Sequence, residues 1–67
     1  MIKVIFTADH CDPLITFTSN CSDFRYFENR HILTLYDAKG KCMAWVITDE
    51  WQSIVIEYEN GIKQVIK

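Results

Sequence analysis

Apolar and polar positions alternate along most of this chain with a period of two, the pattern of strands that bury one face. In residues 1–8, Ile2, Val4 and Phe6 fall on one side and Lys3, Ile5 and Thr7 on the other. The segment Asp9-His10-Cys11-Asp12-Pro13 breaks the pattern, because Pro13 lacks a backbone donor and biases Asp12 away from helix. Residues 14–18 are rich in β-branched and aromatic side chains and predict a second strand, paired with the first as a hairpin. A polar turn is expected over 19–23, a short strand or an aromatic-bearing loop over 24–27, and another turn over 28–30. Residues 31–37 then alternate clearly, with Leu33 and Leu35 on one side. The run 37–40 has the composition of a type I turn closed by a glycine able to take positive φ. A strand returns over 42–48, with Met43, Trp45 and Ile47 on one face and Cys42, Ala44 and Val46 on the other.

Residues 49–52 connect onward with room for one helical turn, and 53–59 form the next strand. Asn60-Gly61 is the strongest hairpin signal in the chain and predicts a two-residue turn with positive φ at both positions. That turn would pair Ile56 with Val65 and Tyr58 with Lys63, in a last strand over 62–66. No segment carries a helical period. The expected fold is therefore mainly β, a small antiparallel meander or partly closed barrel of five to six strands in a single domain spanning 1–67. The expected core is Ile2, Val4, Phe6, Leu33, Leu35, Trp45, Ile47, Ile54 and Ile56. Ile5, Ile15, Val46, Val55 and Ile66 make several strands apolar on both faces, so either the sheet curls or one apolar patch is left for a partner.

Size changes the picture next. A chain of 67 residues buries only about 60% of the surface it exposes when unfolded, so an extra staple is useful. A net charge of −2 argues against direct nucleic-acid binding, which wants a clustered basic patch. No stretch approaches the roughly 18 apolar residues of a membrane-spanning helix, and the first residues lack the length and cleavage site of a signal peptide. The expected location is the cytoplasm, where an odd count of three cysteines does not suggest a disulfide framework.

Cys11, Cys21 and Cys42, together with His10, have the donor types of a structural zinc site. His10 is preferred as the fourth ligand, with Asp9 or Asp12 in reserve. If Cys42 faces Tyr36, His31 lies at the far end of the same hairpin, on the order of 15 Å away. The competing reading makes Cys42 a small core residue and the other two thiols turn residues. A cysteine–histidine nucleophile is disfavoured, because nothing orients His10 and so short a chain leaves little room for a cleft. The chain is not expected to be an enzyme.

Two surfaces are candidates for partner binding. Phe24, Tyr26 and Phe27 flank Arg25, and aromatics with arginine are the types enriched at interaction hot spots. Asp49, Glu50, Trp51, Glu57 and Glu59 cluster towards the C-terminal hairpin. The competing readings are aromatics that cap the barrel and an ordinary solvated strand face.

A tiny acidic β protein without a catalytic constellation, carrying the His10/Cys11, Cys21 and Cys42 set, resembles a zinc-containing member of the phage-derived type II-A anti-CRISPR proteins. The resemblance covers the whole chain without a motif, so no inhibitory residue carries over. It implies Cas9 as partner, in the cytoplasm of a bacterial host. It also implies inhibition of DNA loading or cleavage by protein–protein binding. The alternative is a small phage or bacterial assembly module that forms a homo-oligomer through an exposed sheet face.

Overall fold

The computed structural model describes residues 1–8 and 15–67 of the chain. It is mainly β, with seven strands: β1 (Ile2–Ala8), β2 (Ile15–Cys21), β3 (Asp23–Phe27), β4 (Ile32–Tyr36), β5 (Cys42–Ile47), β6 (Ser53–Glu57) and β7 (Lys63–Val65). They form two antiparallel sheets, a four-stranded one in the order β2-β1-β6-β7 and a three-stranded one in the order β3-β4-β5. Residues 9–14, including the expected turn at Asp9–Pro13 and the first residue of the expected second strand, lie outside the described residues.

The chain changes sheets at two short corners. At the first, β2 pairs with β1 as far as Cys21↔Ile2. The next residue, Ser22, already donates its N–H to the Tyr36 carbonyl at 2.9 Å and opens the β3–β4 ladder. The polar run over 19–23 is thus not a turn but a strand with a single bend, a known way to make the corner of a two-sheet fold. At the second corner, Thr48 donates to the His31 carbonyl at 2.9 Å, and Gln52 donates to the Thr7 carbonyl at 2.8 Å. Between them runs the 3-10 turn Thr48–Glu50.

The core lies between the sheets. Val4, Phe6, Ala8, Cys21, Ile54 and Ile56 come from the larger sheet, Leu33 and Leu35 from the smaller, all almost fully buried. The register explains the match, since Val4 stands against Ile56 and Phe6 against Ile54 on one face. Phe24 on β3 meets Tyr58 from the other sheet with ring centroids 6.5 Å apart, and Trp51 lies against Phe6 at 5.2 Å. These tilted aromatic contacts cover the openings that the two corners leave.

The β4–β5 and β6–β7 hairpins close around three-residue loops. Asp37 pairs with Lys41 around Ala38, Lys39 and Gly40, and Tyr58 with Ile62 around Glu59, Asn60 and Gly61. Gly40 and Gly61 have φ of 79° and 85°, the left-handed position that ends this type of loop. Asn60 does not take positive φ; its side-chain oxygen instead accepts from the Ile62 N–H at 3.1 Å. The expected two-residue turn is therefore corrected to three residues. The register moves by one, so that Ile56 faces Gln64 and Val55 faces Val65.

A second correction concerns β5. Continued regularly from Tyr36↔Cys42, the ladder would set Trp45 against Leu33 and point it into the core. Instead Leu35 pairs with Ala44, Thr34 with Trp45 and Leu33 with Val46, with a register shift between Leu35 and Tyr36. Met43 is the extra residue of a β-bulge, and a one-residue shift exchanges the two faces of a strand. Val46 packs on the core, while Trp45 is 63% and Ile47 41% exposed. Both had been expected inside.

Deleting Met43 removes the bulge but preserves the pairing of Ala44 with Leu35 and of Trp45 with Thr34. We expect the deletion variant to fold, with stability changed by no more than about 1 kcal/mol and Trp45 still open to acrylamide quenching in a Trp51→Phe background. A Trp45 that becomes shielded from quencher would show that the pairing of Ala44 with Leu35 and of Trp45 with Thr34 does not survive the deletion, and that Met43 is not the extra residue.

Candidate functional site

The expected metal ligands divide by environment. Cys21 closes β2 inside the core, 1% exposed. Burial pushes its thiol above the ordinary value of 9.0, the Asp23 carboxylate adds to the rise, and a backbone hydrogen bond offsets part of it. The side chain packs in the core cluster with Val4, Phe6 and Leu33, as a small apolar residue does. Cys42 is exposed at the start of β5, with its sulfur 3.8 Å from the Ala44 carbonyl. His10 and Cys11, with Asp9 and Asp12, lie outside the described residues. Among the described residues, no three His, Cys, Asp or Glu side chains gather into a group that could hold a metal ion.

The partner-binding candidates also separate. Phe24, Tyr26 and Trp51 are half-buried and packed against the core, so their rings serve the interior. Arg25 points outward from the same strand and is exposed. Asp49 is exposed and 3.2 Å from Nδ1 of His31. His31 itself sits at φ 55° where the 3-10 turn Glu28–Arg30 ends. Glu50 is exposed on the second corner, and Glu57 stands between Lys3 and Lys63 on the outer face of the larger sheet. Glu59, in the last hairpin loop, pairs with the Met1 amino group. These carboxylates do not form one surface.

What the structure does bring together is the outer face of β3-β4-β5. Cross-strand register places Phe27, Ile32 and Ile47 in one row and Arg25, Thr34 and Trp45 in the next. Phe27, Met43, Trp45 and Ile47 are all large apolar residues with at least a third of their surface open. Phe27, Ile32, Thr34, Trp45 and Arg30 line a shallow, mostly apolar cavity of about 270 Å³. Sequence reasoning noticed Phe27 and Arg25 but assigned Trp45 and Ile47 to the core. The bulge that reverses them has no sequence signature beyond a strand apolar on both faces.

No protein-family model matches the chain, and neither comparison with curated proteins nor comparison with solved structures finds a match. Among the described residues, no helix is long and apolar enough to cross a membrane.

The two described cysteines generate a prediction that also tests the metal set. Cys21→Ser puts a hydroxyl into the core and is expected to cost about 1–3 kcal/mol, whereas Cys42→Ser is expected to cost less than about 0.5 kcal/mol. Urea denaturation measures both. Equal, large losses, accompanied by stoichiometric zinc and a chelator-sensitive melting point, would instead establish the His10–Cys11–Cys21–Cys42 site.

The same thiol makes stability fall at alkaline pH. Because the folded chain holds the Cys21 proton more tightly than the unfolded chain does, the Cys21 contribution is full below about pH 9 and is lost as pH rises through the raised native value. Cys21→Ala should flatten that part of the stability profile, measured by urea midpoints from pH 7 to pH 10.

Proposed function

We propose that this chain is a protein-binding module that works by occupying a partner's surface, without catalysis, through the outer face of β3-β4-β5. The observation that carries the reading is the exposed row of apolar side chains around Trp45, turned outward by the bulge at Met43. Exposed contiguous apolar patches of this kind mark interaction sites, and tryptophan with nearby arginine is the composition of a hot spot.

Two partners follow from the reading. The resemblance to type II-A anti-CRISPR proteins supports Cas9, with inhibition by obstruction of DNA loading or cleavage. A net charge of only −2 favours obstruction through a protein lobe over mimicry of DNA. A second copy of the chain is the other partner, favoured by β5 being an edge strand of the smaller sheet, whose free backbone groups lie beside the exposed apolar row.

The test is a cleavage assay with several Cas9 orthologues, combined with co-elution on size exclusion. We expect the wild-type chain to co-elute with, and to suppress cleavage by, at least one orthologue. Trp45→Ser should abolish both while changing stability by no more than about 1 kcal/mol, because most of the side chain is already in solvent. Unimpaired cleavage by every orthologue removes Cas9 as the partner. A concentration-dependent dimer that Trp45→Ser dissolves would make the second copy the occupant.

A further inference from the structure

The chemistry of the outer face narrows its partner further. Two arginines flank the apolar rows: Arg25 lies in register with Thr34 and Trp45, and Arg30 borders the cavity formed by Phe27, Ile32, Thr34 and Trp45. Both are exposed. Among the described residues, neither has a carboxylate within ion-pair distance. Of the acids near this face, Asp23 Oδ1 accepts from the Phe24 N–H at 2.8 Å and Asp49 faces His31, while Glu28 shares the 3-10 turn with Arg30 and forms no ion pair with it. The surface therefore combines an apolar recess with two guanidinium groups whose donor forks are free.

Three occupants compete for such a surface. A second copy related by a two-fold axis would bring the same patch to both sides. That gathers four guanidinium groups in one interface, where each would have to reach Asp23 or Glu28 of the other copy while the apolar rows also meet. Single-stranded nucleic acid could stack on Trp45, but its affinity grows with the number of phosphates neutralised. Two arginines on a chain of net charge −2 offer little of that. A protein segment carrying carboxylates beside an apolar side chain answers both features. Its side chain fills the recess, and its carboxylates meet planar forks in the bidentate geometry that arginine favours. Water excluded from the apolar rows strengthens those charge pairs.

We propose that the outer face of β3-β4-β5 docks an acidic protein segment, which inserts one large apolar side chain into the recess between Phe27, Ile32 and Trp45 and sets its carboxylates on Arg25 and Arg30. This rests on the protein-binding reading above and adds the chemistry of the partner.

The experiment is selection of a random peptide library displayed on phage against the intact chain, followed by titration of the enriched peptides. The expected consensus is an aromatic or large aliphatic residue with Asp or Glu within a few positions. Binding should be lost in Trp45→Ser and weakened at least tenfold in Arg25→Gln/Arg30→Gln. It should also weaken as salt is raised from 50 to 500 mM. Arg25→Glu/Arg30→Glu should redirect the selection towards basic peptides, a gain that an unfolded variant cannot produce. Enrichment that depends on Trp45 but lacks acidic residues overturns the assigned chemistry and leaves the binding face standing. No Trp45-dependent enrichment overturns both. Competition of the selected peptides by oligothymidylate would assign the face to nucleic acid, and self-association that excludes them would assign it to a second copy.

Discussion

One extra residue in β5 decides which half of that strand belongs to the interior. The Asp37–Lys41 closure and the Tyr36↔Cys42 pair start a ladder that would carry Trp45 and Ile47 inward if it ran on regularly. The bulge at Met43 interrupts it, and Val46 packs into the core instead. The space between the sheets is already occupied by Phe6, Leu33, Leu35, Ile54 and Ile56. A tryptophan added there would meet the penalty of overpacking, whereas valine interdigitates. The bulge costs a local break in the ladder, but it turns Val46 and not Trp45 onto the core. The same shift puts Trp45 and Ile47 on the outer face, so the packing of Val46 and the character of that face have one cause.

Much of this architecture is legible in the chain. Alternation in residues 1–8, 31–37 and 53–59 locates strands that are present, and Val4, Phe6, Leu33, Leu35, Ile54 and Ile56 are buried on the faces it marks. Gly40 and Gly61 mark the loops of the β4–β5 and β6–β7 hairpins. What alternation cannot supply is register. The 58–62 loop has three residues between its closing pair, and that single residue moves Val65 opposite Val55 instead of Ile56. The bend at Ser22 was also hidden. Ser19, Asn20 and Cys21 have turn-like composition, yet they complete β2 because β1 offers them a full ladder, an instance of pairing overriding local preference.

The candidate site was legible only in part, for the same reason. Arginine with aromatics around it is visible in the sequence at 24–27, but Phe24 and Tyr26 face Leu35 and Leu33 on the inner side while Arg25 and Phe27 face out. Period two separates those pairs without saying which is inside. The Trp45 and Ile47 side chains were assigned to the core because large apolar residues usually belong there, and only the register reveals the exception. Cys21 shows the converse. Its donor type was visible in the sequence, but its burial opposite Ile2 at the end of β2 was not, because that depends on the β1–β2 register.

An exposed apolar row next to an edge strand is ordinarily an aggregation hazard. Several features limit it here. The bulge distorts the β5 edge near its start, so a second strand cannot extend the sheet along a flat ladder. Arg25 and Arg30 border the apolar rows, and Lys39 and Lys41 lie on the adjoining hairpin loop and its exit, so the approach of an identical face brings like charges together. An acidic partner meets the opposite situation, since the groups that discourage self-association are those that would attract it. Selectivity on this face then comes from repulsion as much as from contact. On the proposed reading the apolar recess would supply affinity, and the two arginines would determine which surfaces reach it.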